Sequence, residues 1–288
     1  MPSLLDLRRR VKSVKNTRQI TKAMKMLSAA KLKRSQDAVI SSRPFANKIT
    51  EVLGNLSRNV TDDFNHPLLD ERGDECYLLV IITADKGLCG GFNANLIKAG
   101  HRFIRESEGK SVDLLTVGRK GRDFFRRRGF NLVNEYLGLT GKGRVDYAEA
   151  AEVARDVIKR FTENEKLDKV FLVYSEFKSV LSQKPTVEQL LPATRPAREE
   201  TANSADYIYE QRPSEIFSKL LPQMVEIRIF RALLESVASE HGARMTAMDS
   251  ATNNANDLIN RLTLELNRKR QAAITTEIIE VVSGAAAA

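Results

Sequence analysis

The chain has no tryptophan, and only 6% of its 288 residues are aromatic. So small an aromatic supply marks much of it as something other than conventional globular core. No run of eighteen apolar residues occurs and the mean hydropathy is -0.33, which excludes a transmembrane helix. The N-terminus is charged from Asp6 onward and has no apolar stretch of the kind a secretion signal needs. It is rich in Arg and Lys, as a mitochondrial presequence would be, yet it runs straight into a helical pattern and is read as mature protein. The two cysteines, Cys76 and Cys89, make no spaced framework and fit a reducing compartment. The three histidines are scattered, without metal-binding spacing, and His241 is read as a polar layer within a helix. No paired carboxylates, no Ser-His-Asp set and no phosphate-loop signature are present, so the residues point to a chain with no chemistry of its own.

Proline is absent after Pro222 and between Pro2 and Pro44. The pattern predicts a helix over residues 1–58 and another over 213–284, roughly 80 Å and 100 Å long. Helices of such length must pair with each other or insert into a partner to bury an apolar stripe. In the second, Ile227, Phe230, Leu234 and Val237, then Met248, Ala251, Ala255, Leu258 and Leu262, recur at steps of three and four, the spacing of an antiparallel coiled-coil seam. His241 and Arg244 interrupt it. Past Leu262 the register meets Glu265 and Lys269, while Ile259, Leu266 and Ala273 lie one position off, which reads as a drifting seam. The first helix opens with Leu4, Leu7, Val11 and Val14, is read as shifting to Ile20, Met24 and Leu27, and ends on Phe45, Ile49, Leu53 and Leu56.

Between them the periodicity changes. A short continuous apolar run at 76–83 and further strand readings at 112–117, 131–136 and 170–175 alternate with helical patterns at 93–106, 119–128 and 145–163. This order predicts a three-layer α/β (Rossmann-like) domain over 75–210 with a mostly parallel sheet. Val187 to Leu191 is a candidate edge strand and Asp206 to Glu210 a possible short one. The turn Thr83-Ala-Asp-Lys-Gly-Leu-Cys-Gly-Gly-Phe-Asn93 joins a strand to a helix, where nucleotides bind in such folds. It is neither GxGxxG nor GxxxxGK[ST], and no Ser or Thr follows to hold magnesium. It is read as a tight turn packing closely on a neighbour, with Cys89 a packed thiol.

The net charge of +9 is unevenly placed. Residues 1–60 carry fourteen Lys and Arg against three Asp and Glu, a net of +11, and the rest of the chain nets -2. A helix so one-sided lacks the acidic neighbours that normally lace a free helix, and it predicts an acidic partner surface. Nucleic acid is one candidate and an acidic protein loop another; no aromatics interleave with the cations, which counts against single-strand stacking. Two alternatives of other classes follow from these features: a nucleic-acid-binding coiled coil, and a nucleotide-binding α/β enzyme with helical extensions.

Four segments carry a family resemblance: Ile20-Thr-Lys-Ala-Met-Lys-Met26 leading to Lys31-Leu-Lys-Arg34; the ITADKGLCGGFN turn; Arg244-Met-Thr-Ala-Met248 leading to Ala251-Thr-Asn-Asn-Ala255; and Asn267 to Ala285, with Ile274-Thr275, Glu277, Glu280 and Gly284-Ala285 at the spacing of a C-terminal signature. On these the chain resembles, over essentially its whole length, the gamma subunits of F-type ATP synthases. It departs at Glu265-Leu266, where a small polar residue and then an aromatic are expected. The stretch from Lys184 to Asp206 holds no cysteine pair, so the bacterial type fits better than the redox-regulated chloroplast type. The resemblance implies a central shaft inside a ring of three alpha and three beta subunits, with a foot resting on the epsilon subunit and the membrane ring of c subunits. It implies no cofactor, and a place at the cytoplasmic face of the bacterial plasma membrane. It also implies that Lys22, Met24, Lys25, Arg270 and Gln271 meet beta subunits, and that Tyr207 and Glu210 meet the c ring.

Overall fold

In a computed structural model the protein is described over residues 3–59, 64–180, 182–194 and 211–287. Two helices dominate it, α1 (Leu4–Asn59) and α5 (Pro213–Ala287). Between them come β1 (Cys76–Ile82), α2 (Phe92–Glu106), β2 (Ser111–Val117), α3 (Arg119–Arg127), β3 (Leu132–Tyr136), α4 (Tyr147–Glu163), β4 (Lys169–Phe177) and β5 (Gln183–Leu191). The chain divides into two compact units: its two ends, up to Ser28 and from Met245, and the segment Ala29–Arg244. Both long helices therefore contribute to each unit. α1 continues through Pro44, an exposed position, where the hydrogen bond that proline cannot make leaves a carbonyl facing water.

The larger unit is built on a five-stranded sheet in the order β3-β2-β1-β4-β5. β1 pairs in parallel with β2 and β4, β2 pairs in parallel with β3, and β5 closes the edge antiparallel to β4. β1 reads CYLLVII because both its faces are covered. Successive side chains alternate between two cores. Leu79 and Ile81 pack with Phe92, Leu96 and Phe125 beneath α2 and α3. Leu78, Val80 and Ile82 pack on the other side with α4 (Val153, Val157, Phe161) and with α1 and α5 (Leu53, Leu56, Phe217, Val225). The predicted mostly parallel three-layer architecture is thus the one observed. The candidate edge strand at 187–191 is present and starts earlier, at Gln183. The possible strand at 206–210 lies outside the described residues.

α5 reaches the sheet's backbone through small side chains. Ser236 Oγ accepts the Ser175 amide of β4 (3.1 Å), and Ser239 Oγ donates to the Ser175 carbonyl (3.1 Å). Only short hydroxyl side chains let a helix approach a strand this closely and still satisfy its polar groups. Arg72 holds the far end of α4: its Nη1 donates to the carbonyls of Phe161 (2.8 Å), Asn164 (3.1 Å) and Leu167 (3.3 Å), filling acceptors a helix C-terminus leaves open.

The smaller unit is an antiparallel helix pair. Arg18 Nη1 donates to Asn256 Oδ1 (3.1 Å), Thr252 Oγ1 donates to Thr21 Oγ1 (2.8 Å), and Lys25 Nζ meets Asp249 Oδ1 (2.5 Å). As the number rises on one helix it falls equally on the other, which fixes the register. The register corrects the seam read from sequence. On α1 the buried and half-buried line is Leu7, Val11, Val14, Arg18, Thr21, Lys25 and Ser28, at an unbroken three-four spacing, whereas Ile20 and Leu27 are 60% and 64% exposed. On α5 it is Met248, Thr252, Ala255, Ile259, Leu262 and Leu266, whereas Leu258 is 43% exposed. Neither seam shifts or drifts. The misreading has one physical cause. Thr takes seam positions because its hydroxyl can be satisfied there: Thr21 Oγ1 accepts the Thr252 hydroxyl across the seam and donates its own proton to the Arg18 carbonyl of its own helix.

Candidate interaction surfaces

The corrected seam turns the stripe Ile20, Met24 and Leu27 into a shoulder beside the helix pair. Ile20 and Leu27 face solvent and Met24 is half-buried. Lys22 is exposed on the same stretch, while Lys25 is engaged by Asp249, so its charge is partly answered within the unit. Arg9, Lys12, Lys15 and Lys22 make no ion pair among the described residues, and the excess of positive charge on α1 stays open to a partner.

Arg270 and Gln271 are exposed. By the register above, position 270 lies opposite the first residues of α1, so among the described residues α5 continues beyond it without a helix beside it. Ile274, Ile278, Ile279, Val281 and Val282 are all exposed there, Val281 at 72%. Counted along α5 from Asp249, the partner of Lys25, Arg270 is roughly 30 Å away. The five residues expected at beta subunits therefore form two separate patches. Tyr207 and Glu210 lie outside the described residues.

The Gly-rich turn is a knot of hydrogen bonds. Asp85 accepts the amides of Arg119 (3.2 Å), Gly138 (3.1 Å) and Gly141 (3.0 Å) and the Thr140 hydroxyl (3.0 Å). Asn93 Oδ1 accepts the Ala84 amide (2.9 Å) while its Nδ2 donates to Cys89 Sγ (3.1 Å). Burial pushes the Cys89 thiol's pKa up, so it is a protonated, packed thiol. The neighbour on which the turn packs is α5. Arg244 donates through Nε and Nη2 to the Gly87 carbonyl (3.3 and 3.2 Å), so a guanidinium of α5 seats on the turn after β1.

That guanidinium anchors a buried polar cluster that sequence patterning passed over as an interruption. Arg244 Nη2 pairs with Glu240 Oε1 at 2.6 Å, both almost wholly buried. Burial pushes the Glu240 carboxyl upward, and Arg244 draws it back. His241 Nδ1 lies 3.3 Å from Arg244 Nη1, which can only donate, so Nδ1 is the acceptor and Nε2 carries the ring proton. Burial, then the charges of Arg244 and Lys31, push the His241 pKa down to about 4. The one cue in the sequence was three polar residues, at 240, 241 and 244, on a helix face otherwise lined with Ala, Val and Ser.

The His241 shift has a definite sign. Folded, it stays neutral; unfolded, it takes a proton near its ordinary value. The contribution is therefore complete above about pH 6.5 and is lost as the pH falls toward 4, by about 2 kcal/mol between pH 7 and pH 5. Glu240 works in the opposite sense, so wild type shows the difference of the two. Denaturant unfolding of His241→Gln at pH 7 and pH 5 should show a loss of stability smaller than wild type's by about that amount. Equal losses in both proteins would place the histidine outside the titrating cluster.

The helix pair carries exposed basic and apolar faces, and in the α/β body the turn after β1 is bound by the chain's own Arg244. A family profile described as ATP synthase matches residues 3–288. An ATP synthase gamma chain from Solibacter usitatus is 55% identical over 291 residues, covering 100% of both chains. The chain belongs to the ATP synthase gamma chain family. In a Tetrahymena thermophila mitochondrial ATP synthase central stalk and c-ring structure, a chain 26% identical superposes with a TM-score of 0.60, over 81% of this chain and 99% of that one. A chain of the Euglena gracilis mitochondrial enzyme, 20% identical, gives a TM-score of 0.69 over 99% and 94%, a likeness of fold. Among the described residues no helix is long and apolar enough to cross a membrane.

Proposed function

We propose that this chain is the central rotor shaft of a bacterial F-type ATP synthase, without catalytic chemistry of its own. Rotation of a membrane ring of c subunits, driven by ion flow, turns it, and it presents a different side to each of three beta-subunit sites in turn. Asymmetry is essential to this reading: a shaft touching all three sites equally would shift none of them relative to the others. The observation that carries it is the end of α5, where Ile274, Ile278, Ile279, Val281 and Val282 stand exposed on a helix with no helix beside it among the described residues. Exposed apolar surface of this extent on a single helix calls for an enclosing partner. Ile, Val and Ala make up most of this end, with Glu277 and Glu280 among them, and such short apolar side chains suit a bearing in which the helix turns without a locking contact.

In this reading the basic α1 face and the shoulder at Lys22, Met24 and Lys25 meet acidic loops of beta subunits. Arg270 and Gln271 hydrogen-bond a beta subunit where α5 enters the ring of alpha and beta subunits. Tyr207 and Glu210 face the c ring, the epsilon subunit sits at the foot, and the complex lies at the cytoplasmic face of the plasma membrane. Arg270→Ala/Gln271→Ala, reconstituted with alpha and beta subunits, should assemble or turn over ATP at least tenfold less well. A charge-assisted hydrogen bond of this kind is worth about 1.5–3 kcal/mol. The chain alone should give no turnover in the same assay. Wild-type assembly and rate in the double variant, or hydrolysis by the chain alone, would overturn the assignment.

A further inference from the structure

The outer face of the α/β body carries a second concentration of positive charge that segment sums conceal. Residues 119–128 contain six Lys and Arg and a single Asp. Arg122 and Arg126 are answered by Glu135. Lys120 and Arg127 make no ion pair among the described residues, nor does Lys98 on the neighbouring helix α2. Between α2 and α3 lies an open trough of about 690 Å³. Its walls are one stripe of each helix: positions 93, 94, 97, 98 and 101 on α2, and 120, 123, 124, 127 and 128 on α3. Each stripe covers two turns, so the trough runs about 12 Å along the helices.

Its chemistry is divided. Ala94, Ile97 and Phe124 supply an apolar strip, and Arg128 stacks over Phe124 with its guanidinium carbon 3.7 Å from the ring centroid. Lys120, at the N-terminal turn of α3, lies toward one end, Lys98 near the middle, and Arg127 with Arg128 at the other. The one carboxylate in the lining, Asp123, is already paired with Arg122 at 2.8 Å.

We propose that this trough docks an acidic amphipathic helix of another polypeptide, apolar side chains on the Ile97–Phe124 strip and carboxylates on the flanking cations. The spread of the cations selects this occupant. A nucleotide or free phosphate concentrates its charge at one point and needs donors that converge there. Here the cations are strung along two helical turns with apolar surface between them. A helix carrying acidic residues at three- and four-residue steps beside an apolar stripe matches that arrangement.

The test uses the full-length chain and a fluorescein-labelled helical peptide with Glu at i, i+4 and i+7 and Leu between, followed by anisotropy. Lys120→Glu/Arg127→Glu, both exposed positions, should weaken binding at least tenfold with an unchanged thermal midpoint. Arg9→Glu/Lys12→Glu on α1 should change it by less than twofold. Equal weakening by both pairs would mean attraction to net charge alone and would overturn the proposal. Displacement of the peptide by micromolar pyrophosphate would make the trough a small-anion site and overturn it as well. In the assembled complex, a photo-crosslinker at position 98 should label an acidic helical segment of another subunit; labelling confined to this chain would count against it.

Discussion

Replacing Arg244 by Met should cost about 3–5 kcal/mol, because it strands the Glu240 carboxylate in the interior. Glu240 Oε1 loses its partner at 2.6 Å, and Oε2 has none to begin with. The Gly87 carbonyl loses both its donors from α5. The size of the loss should itself depend on pH. Without Arg244, the Glu240 pKa rises further, so the folded variant takes up a proton the unfolded chain does not, and stability is regained as pH falls. Denaturant unfolding should therefore show a larger deficit at pH 8 than at pH 5, and Glu240→Gln should rescue part of it. A loss under 1 kcal/mol at pH 8 would mean the guanidinium is not what holds the cluster. The contact matters to the proposed shaft because it ties α5 to the turn that follows β1. Torque entering through the α/β body must reach α5 through such contacts.

The sheet was legible because its central strand, Cys76 to Ile82, is covered on both faces and reads as an unbroken apolar run, and the other parallel strands alternate with helical patterns in the order of an α/β fold. The pairing of the long helices was legible from length alone. What misled was equating the seam with the largest apolar side chains. Ile20, Leu27 and Leu258 attract the eye, yet the line of contact passes through Thr21, Ser28, Thr252 and Ile259. A hydroxyl that bonds its own helix, or another hydroxyl across the interface, can occupy a seam position, and no hydropathy pattern reveals it. The basic stripe of α3 was hidden for another reason: acidic residues elsewhere cancel it in any sum over the segment. The cluster at Glu240, His241 and Arg244 was hidden because its acceptor, the Gly87 carbonyl, is backbone some 150 residues away in the sequence.

The other large effect lies at Gly118, where β2 passes into α3. Its φ is +95°, and a side chain there would bring Cβ to 2.1 Å from the Thr83 carbonyl oxygen and 2.7 Å from its carbon. The obstacle is backbone of β1's own continuation, held by the Thr83 amide bonding to the Val117 carbonyl at 2.7 Å, and it has no rotamer by which to move aside. Gly118→Ala should cost about 4 kcal/mol or more, at the extreme of single substitutions. Gly129 and Gly138 provide the comparison. Both have positive φ, +73° and +82°, and a Cβ there would meet nothing within 4 Å, so alanine brings backbone strain alone, about 1–2 kcal/mol. Thermal unfolding of the three variants should separate Gly118 clearly from the other two. Similar losses in all three would show that the strand crossing yields, and that the contact with Thr83 is not rigid. The consequence reaches the buried cluster, because Thr83 opens the turn whose Gly87 carbonyl receives Arg244. A displaced turn withdraws that acceptor, so Gly118→Ala and Arg244→Met should together cost less than the sum of their separate effects.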